Sequence, residues 1–70
     1  MKQMELVING DKIEVPNSVE TIAHLLHHFE LQQKVVIVEW NATILEKGLH
    51  QETKLCNGDK VELVHFVGGG

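Results

Sequence analysis

Few groups in this 70-residue chain could do chemistry. His24 and His28 stand four apart in "HLLHH", the spacing at which two imidazoles share one face of a helix and can bind zinc. The sequence offers no H-E-x-x-H arrangement and no evident third ligand, so the pair reads as solvated surface histidines and no metal is expected. Cys56 could be a nucleophile if a base or cation favoured its thiolate. Only His50 and Lys54 lie near it in sequence, and a small, part-buried residue before a turn is the plainer reading. No Ser/His/Asp set and no paired carboxylates are visible. The remaining group is the end of the chain, "HFVGGG".

Glycine has no Cβ and passes where other residues clash. From Phe66 to Gly70 an extended backbone reaches on the order of 13 Å at ~3.3 Å per residue. Gly68, Gly69 and Gly70 thus make a slim arm that carries an α-carboxylate, ionised at neutral pH, away from the domain. A carboxylate is a poor electrophile. Chemistry on it needs activation, most simply as an acyl-adenylate made from ATP, from which a sulfur nucleophile displaces AMP. A disordered end or a cloning scar would also account for terminal glycines, so the arm must be weighed with the elements that hold it.

Those elements follow from periodicity. Met4, Leu6 and Ile8 alternate with Glu5, Val7 and Asn9, a half-buried strand. Asn9-Gly10 is a strong hairpin signal and leads into a second strand with Ile13 and Val15 on one face. After Pro16, Ser18 is the expected cap of a helix, with Glu20 suited to its N-terminal dipole. Ile22, Leu25, Leu26 and Phe29 form one apolar stripe, and the helix should end near Glu30 because Leu31 falls off it. "KVVIVEW" is a third strand, apolar enough to suggest an enclosed position. A short strand around Thr43–Leu45, a turn at Gly48 and a second turn at Asn57-Gly58-Asp59 precede the last strand, "KVELVHFV".

On that last strand Val61, Leu63 and His65 share one face, and His65 reads as a structural, hydrogen-bonded histidine. Glu62, Val64 and Phe66 share the other. With Val7, and Ile37 as a further candidate, Val64 and Phe66 would form an apolar patch for a partner. A register slip of one residue would invert every one of these assignments.

The expected fold class is α+β, of the ubiquitin-like β-grasp kind. It has a mixed four- to five-stranded sheet packed on one main helix, in the order ββαβββ, with the first and last strands parallel at the centre. One helix covers one face of the sheet and leaves the other open. The domain should span residues 1–67, with residues 68–70 a flexible tail. At 70 residues one domain is the sensible count, and its 43% hydrophobic content suffices for one core. A net charge of −4 without a Lys/Arg cluster argues against nucleic acid and for a basic protein partner. A single cysteine excludes an internal disulfide framework and fits a reducing compartment. No apolar run approaches a membrane span and the start lacks a signal-peptide core, so a cytoplasmic protein is expected.

The order of "VING", the helix after Pro16, the strand leading to Asn41, "NGDKVEL" and the final "GGG" resembles the ThiS family of sulfur carriers, within the ubiquitin-like β-grasp superfamily. The resemblance covers nearly the whole chain. It implies a carrier with no catalytic residues and no bound cofactor, ATP being used by the activating enzyme. Gly70 would be adenylated by an E1-like adenylyltransferase of the ThiF type and then carry sulfur of cysteine origin as a thiocarboxylate. Gly68 and Gly69 would thread the enzyme's channel, and Val7, Val64 and Phe66 would dock partners. A thiazole synthase of the ThiG type would receive the sulfur for the thiazole ring of thiamine. The free protein would be a monomer. The small subunit of molybdopterin synthase, ubiquitin-like modifiers and non-carrier β-grasp interaction domains share the fold. The first is typically longer and often carries proline ahead of its glycines, whereas this chain has "FVGGG".

Overall fold

The computed structural model describes residues 3–65. Five strands, one α-helix and a short 3-10 helix are ordered β1 (Gln3–Ile8), β2 (Asp11–Pro16), α1 (Ile22–His28), β3 (Val36–Trp40), β4 (Thr43–Leu45), the 3-10 turn (Lys47–Leu49) and β5 (Lys60–His65). The sheet order is β2-β1-β5-β3-β4. Only the β1–β5 pair is parallel, so the first and last strands meet at the centre as the sequence predicts.

Two tight hairpins set the strand registers. Asn9 and Gly10 both take positive φ, 51° and 87°, the type I′ geometry that lets Ile8 pair with Asp11. The β3–β4 hairpin uses the same geometry with a less suitable pair: Asn41 at φ 48° and Ala42 at φ 69°. Its turn was not legible in the sequence because alanine is a poor turn residue. Asp59 compensates. Its carboxylate accepts from Trp40 Nε1 at 3.0 Å, from Asn41 Nδ2 at 3.2 Å and from the Cys56 N–H at 2.9 Å. Asn41 in turn clasps Lys60, its Oδ1 accepting from the Lys60 N–H at 2.9 Å and its own N–H donating to the Lys60 carbonyl at 2.7 Å.

The helix differs from expectation at its start. Its cap is Thr21, whose Oγ1 accepts from the His24 N–H at 3.2 Å, and not Ser18. Glu20 consequently lies ahead of the cap, and the first turn holds no acidic residue. The reason is tertiary. The free N–H groups of a helix start need acceptors. Here the Thr53 carbonyl accepts from Ile22 at 3.1 Å and the His50 carbonyl from Ala23 at 2.9 Å. Segment 50–55 thus fixes where the helix begins, helped by a bridge between Thr21 and Lys54.

The far end closes as a Schellman motif. Leu31 N–H donates to Leu26 at 2.7 Å and Glu30 N–H to His27 at 3.0 Å, with Glu30 in the left-handed position at φ 61°. This reversal returns Leu31 to the core, although it lies off the helical stripe.

The core sits between α1 and one face of the sheet. Leu6, Ile8, Val15, Ile22, Leu25, Val38, Val61 and Leu63 are buried there, and the half-buried Phe29 completes the helical stripe. The apolar β3 is not enclosed on both sides: Val38 is buried while Ile37 is exposed, as is Val35 just ahead of the strand.

Two substitutions test these constraints. Ala42→Gly should raise stability by about 0.5–1 kcal/mol in denaturant melts, since glycine takes positive φ without the Cβ clash. Asp59→Ala should cost about 2–3 kcal/mol through three lost hydrogen bonds, and an unchanged midpoint would remove Asp59 from its organising role.

Candidate functional site

β5 carries the chain toward the glycine arm, so its register decides what the arm emerges beside. β1 holds it at every second residue. The Glu5 N–H donates to Asn57 Oδ1 at 2.8 Å and the Glu5 carbonyl accepts from Gly58 at 2.7 Å. Val7 N–H reaches Asp59 at 2.9 Å and Asn9 N–H reaches Val61 at 3.0 Å. Where the β1 backbone turns away, the Asn9 side chain continues the ladder. Its Oδ1 accepts from the Leu63 N–H at 2.8 Å and its Nδ2 donates to the Leu63 carbonyl at 3.3 Å. Asparagine therefore serves twice here, in the turn and as a substitute strand residue. The sequence signals only the first use.

This register places Val61 and Leu63 in the core and Val64 on the open face, 51% exposed. His65 follows the inward set opposite Val36 and is half-buried. Its Nδ1 is buried without a hydrogen-bond partner among the described residues, in contrast to the expected hydrogen-bonded histidine.

Ile37 lies directly opposite Val64 across β3–β5, close enough for side-chain contact on that face. Val7 lies on the same face from β1 and is half-buried. Ile44 joins from β4, 69% exposed, and was missed in the sequence because its face depends on the β3–β4 register. Phe66, Gly68, Gly69 and Gly70 lie outside the described residues, as does the division between domain and tail at 67/68.

The polar part of this face is unusual. Glu39 stands opposite Glu62, and Glu5 opposite Glu14. Like charges directly opposed across strands are destabilising. The open face therefore combines exposed Val64, Ile37 and Ile44 with two opposed glutamate pairs and, beside Val7, Lys12 and Lys60, a surface suited to a partner with an apolar centre and a mainly basic rim.

The other candidates do not converge. His24 and His28 are both exposed, as expected. His24 Nδ1 accepts from the Glu20 N–H at 3.2 Å, and the His28 ring meets Phe29 edge-on at 5.0 Å. Among the described residues no group of three or more His, Cys, Asp or Glu is placed to hold a metal. Cys56 is exposed, not part-buried, because its turn is anchored through backbone bonds to Asp59 and leaves the side chain outside. No helix among the described residues is long and apolar enough to cross a membrane.

Substitutions on neighbouring positions of β5 test the geometry. Leu63→Ala should cost about 2–5 kcal/mol by opening the core, whereas Val64→Ser should change stability by about 0.5 kcal/mol or less as an exposed replacement. Equal losses in thermal melts would show that the two faces are not distinct.

Comparison with known proteins follows the same lines. The ThiS family model matches residues 2–70. The sulfur carrier protein ThiS of Bacillus subtilis (strain 168) is 43% identical over 65 residues, covering 93% of this chain and 98% of the relative. A thiazole synthase of Paramagnetospirillum magneticum is 37% identical over 67 residues, which cover 96% of this chain and 20% of that longer protein. The crystal structure of a thiamine biosynthesis protein (ThiS) from Geobacter metallireducens superposes with a TM-score of 0.79 at 33% identity, covering 96% of this chain and all of that one.

Proposed function

This chain belongs to the ThiS family and is a sulfur carrier, not a catalyst, and from that premise we propose that the carboxylate of Gly70 is the group that carries the sulfur. An E1-like adenylyltransferase of the ThiF type binds ATP as its co-substrate. A carboxylate oxygen attacks the α-phosphorus, pyrophosphate leaves, and the carboxyl becomes an acyl-adenylate. Hydrosulfide, the sulfide-level form of sulfur derived from cysteine, adds to the activated carbonyl and expels AMP, which leaves a thiocarboxylate. The carrier contributes no acid, base or bound cofactor to either step. It contributes an accessible acyl group.

The observation that supports this reading most directly is the course of β5. Its six residues end at His65 in a strand held at the sheet centre, and the sequence then runs through Phe66 and Val67 into Gly68, Gly69 and Gly70. Gly68 and Gly69 are the threading residues. Their missing side chains let the backbone enter a channel too narrow for others.

Val7, Val64 and Phe66, joined by Ile37 and Ile44, dock the activating enzyme and later the synthase. The glutamates around them favour a basic rim on those partners. The thiazole synthase relative supports a ThiG-type acceptor, because a segment of that protein is similar to nearly all of this chain. Carriage on the same polypeptide raises the effective concentration of a domain at its target. We place this chain in the cytoplasm as a monomer between encounters, delivering sulfur to the thiazole ring of thiamine.

Deletion of Gly70, or addition of one residue after it, should abolish ATP-dependent adenylation by the activating enzyme while leaving the thermal midpoint unchanged. Full adenylation of either variant would overturn the assignment. In protein made alongside its biosynthetic enzymes, the C-terminal peptide should gain the mass of one oxygen replaced by sulfur. The gain must be localised by fragmentation, since oxidation of Met1, Met4 or Cys56 has the same nominal mass. A conjugate to lysine would favour a protein modifier, and a permanently free acid an interaction domain.

A further inference from the structure

A second site lies away from the open sheet face. A cavity of about 380 Å³ opens between the segment that follows the helix reversal and the 3-10 turn. Lys34, Lys47, Gln32 and Gln33 line it with His50, over apolar surface from Leu26 and Val36. Among the described residues no carboxylate lines it, in a chain whose net charge is −4. Its walls are built. The Lys34 N–H donates to the Leu31 carbonyl at 3.0 Å. The His50 N–H donates to Lys47 at 3.1 Å, and the His50 carbonyl holds Ala23 at 2.9 Å.

His50 is the unusual member. It is 8% exposed, the one buried polar residue among those described, and its Nε2 is buried with no hydrogen-bond partner. A buried polar atom without a partner is uncommon and calls for an explanation. No step of the carrier chemistry uses it.

We propose that this cavity binds a small organic phosphate monoester. The two lysines and two glutamines among the lining residues offer more donors than one carboxylate needs, and they match a dianion with three terminal oxygens. Leu26 and Val36 provide apolar surface for an organic body. The cavity is of the size that holds a small ligand. The site is independent of the C-terminal carboxylate, so it stands or falls apart from the carrier reading.

Phenyl phosphate is the probe, with inorganic phosphate and sodium chloride at matched ionic strength as controls. Followed by amide and imidazole NMR on the full chain, phenyl phosphate should shift His50, Lys34, Val36 and Lys47 saturably, with a dissociation constant on the order of 1 mM. Inorganic phosphate should bind several-fold more weakly and sodium chloride should give no saturable shift. The double variant Lys34→Met/Lys47→Met changes only exposed side chains and should weaken phenyl phosphate by about tenfold. Shifts that track ionic strength, equal binding of the two phosphates, a silent His50 imidazole, or unchanged affinity in the double variant would each overturn the proposal.

Discussion

The parallel seam between β1 and β5 is the constraint on which the rest depends. A parallel pair cannot be closed by a tight turn, so its two strands come from opposite ends of the sequence. Closing that distance costs chain entropy before any contact is made. The seam is short in backbone terms, with only Val7–Lys60 and Ile8–Val61 paired as strand residues. Side chains and turn amides extend it at both ends, Asn57 and Gly58 against Glu5 and Asn9 against Leu63. Each added pair fixes the same register, and that register decides which residues of β5 face the helix.

From the seam outward, the two faces of the sheet acquire different tasks. The inner face is filled by Leu6, Ile8, Val38, Val61 and Leu63 against the helix residues Ile22, Leu25 and Leu26. Among the described residues one α-helix covers the sheet, on its inner side, and the outer face stays open. On a free domain the exposed Val64, Ile37 and Ile44 carry a solvation cost, and the opposed glutamates add repulsion. Both are costs that burial against a partner of complementary character would relieve. Stability given up on one face is consistent with a protein that works by docking.

The same economy governs the loops. Segment 50–55 caps the helix start through the carbonyls of His50 and Thr53, and Leu55 adds to the core. Asp59 ties the β3–β4 hairpin to the turn before β5. The irregular stretch between β4 and β5 therefore acts as a clamp that joins the helix to the sheet.

Alternation and turn chemistry by themselves determined much of this protein. Period-2 patterns in residues 4–8 and 61–65 gave the correct faces, because one side of each strand must leave water and the other need not. Asn9-Gly10 gave the first hairpin, since few residue pairs accept positive φ twice in succession. The apolar stripe Ile22–Phe29 gave the helix, and "GGG" behind the last strand, with the order of motifs, gave the family. Tertiary structure decided what local pattern could not. Thr21 displaced Ser18 as cap because the acceptors for the first helical N–H groups come from residues about 30 positions away, beyond the reach of any local rule. β3 proved open on one face although its apolar run suggested an enclosed position, because burial depends on whether a second layer exists to cover that face. Ile44 joined the open face through an Asn-Ala turn held by Asp59 and Lys60, and Asn9 acquired its second role only when Leu63 was brought beside it.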